Sequence, residues 1–103
     1  MATEKLIIGE KEVLRAIAMA TTGKTPDGKI FIFTDEKFTN LRLQVQAKTA
    51  SWIVRWKSSS VTIAYAYPAK KRHITAPSTV RKLAKTVLDL LVDDPDKVKS
   101  YLA

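Results

Sequence analysis

Cysteine is absent from the 103 residues, and histidine occurs once. The first absence excludes disulfide frameworks, zinc fingers and thiol catalysis. The second excludes a multi-histidine metal site within one chain. No apolar run approaches the ~18 residues of a membrane-spanning helix. The opening MATEKLIIGEKEV lacks the basic-then-apolar layout of a secretory signal. The expectation is a cytoplasmic protein with no cofactor, no metal, no membrane association and no small-molecule substrate. Acidic residues are scarce too: ten Asp+Glu stand against eighteen Lys+Arg, a net charge of +8 with a pI near 9.9.

What is present is a globular composition of about one domain's length. The charge is uneven along it. Residues 1–28 carry four basic and four acidic groups, and residues 76–103 carry five against four. Residues 29–75 carry nine basic groups against Asp35 and Glu36 alone. A positive field clustered in this way attracts a polyanion, most often nucleic acid. A solvated basic surface without a partner is the alternative.

Val13, Leu14, Ile17 and Ala18 fall at helical spacing and predict a short helix over 10–21, with Glu10 and Glu12 in the first turn where the dipole favours them. The turn cluster GKTPDG (23–28) ends it. Residues 29–34 form an apolar run of strand formers, and 35–40 read as a loop. Leu41–Gln46 alternates strictly, Leu41, Leu43 and Val45 against Arg42, Gln44 and Gln46. In 51–57, Trp52, Val54 and Trp56 oppose Ile53, Arg55 and Lys57. In 60–67, Val61, Ile63 and Tyr65 share one side. Short connections imply an antiparallel meander. Pro68 stops the sheet, and a basic loop, Ala69 to His73, follows. Thr75 is the expected N-cap of a helix carrying the stripe Val80, Leu83, Ala84, Val87, Leu88 and Leu91, which Asp93-Asp94-Pro95 ends. One or two further helical turns fit 96–102.

The expected fold class is therefore α+β: a three- to four-stranded antiparallel β-sheet covered on one face by a C-terminal helix, with a short N-terminal helix. The expected organisation is an N-terminal helix and turn (1–28), a sheet-plus-helix unit (29–95) and a C-terminal tail (96–103). Only the helix over 77–92 is large enough to cover the sheet, so the opposite face stays open. That face carries Arg42, Gln44, Gln46, Arg55 and Lys57 and no acid. Arg bonds guanine O6/N7 and Gln bonds adenine N6/N7, so Arg42, Gln44, Gln46 and Arg55 are candidates for base edges in a major groove. Lys48, Lys57, Lys70, Lys71 and Arg72 are candidates for phosphates. Five such contacts give a slope of log affinity against log salt of about −4.5. An ordinary wet face of an antiparallel sheet is the alternative.

The motifs themselves follow an order. Asp35 precedes, after four residues, Asn40-Leu41-Arg42-Leu43-Gln44-Val45. Then come Trp52-Ile53-Val54-Arg55-Trp56-Lys57, a strand closing on Tyr65-Ala66-Tyr67-Pro68, Val80-Arg81-Lys82-Leu83-Ala84, and Val92-Asp93-Asp94-Pro95; Leu14-Arg15-Ala16-Ile17 lies upstream. Over roughly residues 14–95 this resembles the amino-terminal arm-type DNA-binding domain of tyrosine recombinases, the integrases of phages and genomic islands. The resemblance implies a three-stranded sheet laid against duplex DNA with a helix behind it. It also implies a role in DNA integration and recombination, and contacts with other integrase protomers. Catalysis would belong to a longer parent, since the family's arginine-lysine-histidine-arginine set around a tyrosine nucleophile is not found here. His73 and Tyr101 have no such neighbours in sequence, and the chain itself is expected to be no enzyme. Three features depart from the family pattern: Asn40 and Ala64 replace glycines, and the basic hairpin is only Ser58-Ser59-Ser60.

Two further patterns resemble chemistry. Ala18 to Thr25 fits a loose A-x-x-x-x-G-K-T phosphate loop, but that loop needs a strand before it and a helix after it. Asp89, Asp93, Asp94 and Asp96 cluster without the spacing or glycine of a calcium loop. Two other functions compete with duplex binding. A single-strand-binding sheet needs exposed aromatics for base stacking, and a protein-interaction domain would dock a helix or an edge strand on its partner.

Overall fold

The computed structural model describes residues 2–25, 28–69 and 72–102. In chain order they form β1 (Ala2–Leu6), α1 (Glu10–Thr22), β2 (Phe31–Asp35), β3 (Leu41–Gln46), β4 (Thr49–Trp56), β5 (Ser59–Tyr67), α2 (Pro77–Asp93) and α3 (Pro95–Leu102). The strands make one sheet in sequence order, β1-β2-β3-β4-β5. The α+β class stands, but the sheet has five strands and is mixed, not a three- to four-stranded antiparallel meander. β1 pairs parallel to β2, Ala2 opposite Phe31 through Leu6 opposite Asp35, and α1 is the crossover between them. This edge strand has too few apolar residues to announce itself; the free edge of β2 makes it a strand.

α1 stops where Gly23 adopts a left-handed conformation, φ 70°, and the Gly23 and Lys24 amides close on the Ala20 and Met19 carbonyls. Gly23-Lys24 is therefore a helix C-cap, and the strand–loop–helix order of a phosphate loop is not formed. The Lys48 amide also donates to the Ala20 carbonyl, fastening this helix end to the β3–β4 hairpin.

One face of the sheet is covered. Phe31, Phe33, Leu41, Leu43, Val45, Ala50, Trp52 and Val54 lie in one core with Val13, Ala16 and Ala20 of α1, Val80, Ala84, Val87 and Leu91 of α2, and Val98 of α3. The N-terminal helix thus shares the cover with α2, and β1 and α1 belong to the same sheet and core as the rest of the described residues. α2 buries the stripe read from its periodicity; Leu83 and Leu88 sit half-buried at its margins. Its N-cap is Ala76 rather than Thr75, and Pro77 opens the helix with no side-chain cap.

β5 departs from strict alternation. Seven residues of β4 face nine of β5, with register shifts between Ala50 and Ser51 and between Trp52 and Ile53. Each extra residue is a bulge that turns the following side chains to the other face. Val61 is opposite Val54 on the covered side, Ile63 and Ala64 are both buried, and Tyr65 is opposite Ser51 on the open side. Val61 and Tyr65 therefore do not share a face.

The corner between β2, α1 and α2 is held by ions. Asp35 is fully buried. It accepts from Arg81 Nε at 2.8 Å and Nη2 at 3.1 Å, and from the amides of Ile8 and Phe38, both at 3.1 Å. Arg81 also donates to the Ile8 carbonyl at 2.6 Å. Burial pushes the Asp35 carboxyl up. The Arg81 hydrogen bond, the Ile8 amide, the Arg81 charge and the Lys37 amide outweigh it and hold the group below its ordinary value.

Candidate nucleic-acid interface

The uncovered face is built by side chains alternating with the core residues. Paired positions of neighbouring strands lie on the same face. One row across the sheet runs Thr3, Ile32, Gln44, Ser51, Tyr65, and the next runs Lys5, Thr34, Arg42, Ile53, Thr62. Gln46 and Thr49 extend the face at one end, Arg55 and Ser60 at the other. All four expected base-edge residues, Arg42, Gln44, Gln46 and Arg55, are therefore brought onto one face. No strand residue of that face is acidic among the described residues. The two strand acids point the other way: Glu4 pairs with Arg15 at 3.0 Å, and Asp35 with Arg81.

Arg42 and Arg55 lie diagonally across the β3–β4 pair. Neither forms a salt bridge among the described residues. Half-burial in the middle of the sheet lowers the Arg42 pKa from its ordinary value, and the neighbouring Arg55 charge lowers it further. The guanidiniums thus repel one another in the free protein, an unfavourable arrangement that a bound anion would reverse. Asn40 supports this end of the face: its side-chain amide donates to the Arg55 carbonyl at 2.8 Å, and its own carbonyl accepts the Arg55 amide.

The expected phosphate residues scatter more. Lys48 and Lys57 occupy the turns at opposite ends of β4, both with left-handed backbones, φ 66° and 54°. Lys57 Nζ sits 5.6 Å from the centre of the Trp56 ring, at the hairpin tip rather than in the Arg42 row. Arg72 is turned away from the face. Its Nη2 donates to the Leu102 carbonyl at 3.0 Å and ties the end of α3 to the loop after β5. Lys70 and Lys71 lie outside the described residues. Asp93 pairs with Lys97, and Asp94 accepts the Asp96 amide, so these acids serve the α2–α3 junction.

Tyr65 and Lys5 join the face although the sequence pattern hid them. A bulge reversed the first, and an inconspicuous edge strand carried the second. The tryptophans are elsewhere. Trp52 is fully buried, its Nε1 donating to the Ile74 carbonyl at 2.8 Å, and Trp56 lies half-buried on the covered side. Emission from a Trp56→Phe variant, which reports Trp52 alone, is expected to stay unquenched on titration with oligothymidine. Quenching by single strands would restore the stacking platform as the leading reading.

The fold and its face define an α+β domain with one covered and one open, acid-free sheet surface. No protein-family model, no curated protein and no solved structure matches this chain.

Proposed function

We propose that this chain is a duplex-DNA-binding domain that places its open sheet face in the major groove, as the arm-type domain of a phage-type integrase does, and that it works in the cytoplasm. The observation that carries this reading is the Arg42–Arg55 pair, two guanidiniums without a salt bridge among the described residues, on a face whose strand residues include no acid. β3 and β4 would lie in the groove, with Arg42, Arg55, Gln44 and Gln46 toward base edges. β4 has eight residues, about 27 Å at the usual rise. The groove is about 12 Å wide, so such a strand would lie along it rather than across it, with Lys48 and Lys57 at its two ends toward phosphates. The integrase role rests on the motif order, and duplex binding rests on the face.

The test is an amide-shift NMR titration with a short generic duplex at low salt. Shifts concentrated on β3, β4 and their turns, and reversed by salt, are expected. Removing Lys48 or Lys57 should weaken all sequences alike and flatten the slope of log affinity against log salt by about 0.9 each. Affinity independent of salt, or shifts spread along α2, would end the proposal and direct attention to a protein partner.

A further inference from the structure

Polar readout of the open face leaves two isoleucines, Ile32 and Ile53, without a role, and Ile53 is the one that lies beside both arginines. Ile53 lies opposite Arg42 on β3 and Thr62 on β5, with Arg55 two residues along its own strand. It is half-buried by these neighbours, and it is not among the side chains packed against the core cluster. Neither α1 nor α2 reaches it, because both pack on the opposite face. An isoleucine between two arginines and a threonine thus presents a small apolar surface at the middle of a polar, positively charged face. Gln44 and Arg42 provide hydrogen bonds to purines but nothing that distinguishes thymine.

The one apolar feature a base pair offers in the major groove is the thymine C5-methyl. We infer that Ile53 reads a thymine methyl, making it a specificity-determining residue of the bound duplex; this rests on the DNA-binding reading above. Cross-strand neighbours on one face are about 5 Å apart, and successive base pairs about 3.4 Å. The thymine therefore lies within about two base pairs of the guanine contacted by Arg42. Arg42 and Arg55 hold the duplex on either side of Ile53, and the methyl displaces water from its exposed surface.

The experiment starts by enriching a duplex from a random pool on the wild-type protein. Each thymine of the enriched site is then replaced in turn by deoxyuridine, which removes only the methyl. One replacement next to the guanine contact is expected to weaken binding about fourfold, the effect of one buried methyl-sized group. Ile53→Ala should bind the thymine duplex as weakly as wild type binds the deoxyuridine duplex, and should no longer distinguish the two. Ile53→Val should keep most of the discrimination. Its melting temperature checks that the alanine variant folds, and the deoxyuridine series on wild type needs no variant.

An enriched site without thymine near the guanine, a series in which no replacement matters, or equal discrimination by Ile53→Ala would overturn the inference while leaving duplex binding in place. Failure to enrich any duplex would overturn the DNA reading, and this inference with it.

Discussion

Asp35→Ala is expected to cost about 3–5 kcal/mol of folding stability, the range for removing one partner of a buried ion pair. The substitution strips Arg81, largely buried, of its carboxylate and leaves the Ile8 and Phe38 amides without acceptors. A domain of this size has about 5–15 kcal/mol in total, so a large part of its stability is at stake. Urea unfolding followed by circular dichroism measures it. A loss below about 1 kcal/mol, the worth of an exposed pair, would show that the corner is held by packing alone. Replacing both partners by apolar residues, Asp35→Leu with Arg81→Met, is expected to recover much of the loss, because no charge is then left buried.

The same carboxylate sets a pH dependence whose sign is fixed by its depressed native pKa. The unfolded chain binds the proton more readily, with an ordinary value of 3.8. The contribution of Asp35 is therefore complete above that value and disappears as pH falls through the lower native one. Thermal melting between neutral pH and pH 2 should show the loss in wild type. It should be smaller in the Asp35→Leu, Arg81→Met variant.

The second large effect concerns binding. Arg42→Ala is expected to weaken a specific duplex by about ten- to hundredfold, the range for one bidentate base contact. The joint reversal Arg42→Glu, Arg55→Glu should abolish binding at physiological salt, because two attractive charges become repulsive to phosphate. Fluorescence anisotropy at a stated salt concentration reads both. Folding provides the control. Arg42 lies beside a like charge and makes no salt bridge among the described residues, so Arg42→Ala should melt at or slightly above the wild-type temperature. A variant that melts far lower would make Arg42 a structural residue. Full affinity in the double reversal would remove the open face from consideration.

Neighbours along the chain explain which features could be foreseen. The period-two pattern of Leu41–Gln46 and Ser51–Trp56 specified both faces of β3 and β4, because one side of each had to be buried. The stripe of α2 was legible for the same reason at the helical period. These two patterns already placed Arg42, Gln44, Gln46 and Arg55 together and away from the core. Asp35 and Arg81, forty-six positions apart, gave no local sign of their pairing. Both stood in quoted motifs, yet only the packing of α2 against the β2 end brings a guanidinium to a carboxylate.

Alternation and periodicity are local properties, so the amino-acid sequence by itself determined the α+β class, the central strands, the covering helix and the acid-free face. Long-range pairing decided the rest. β1 is a strand because β2 offers it a free edge, and α1 covers the sheet because a parallel crossover returns it to that side. Tyr65 faces outward because the bulge between Thr62 and Ala64 reverses the alternation that Val61 begins. Arg72 leaves the basic face because the Leu102 carbonyl at the end of α3 lies within reach of its guanidinium. Each depends on a partner distant in sequence, whose position exists only once the core has closed.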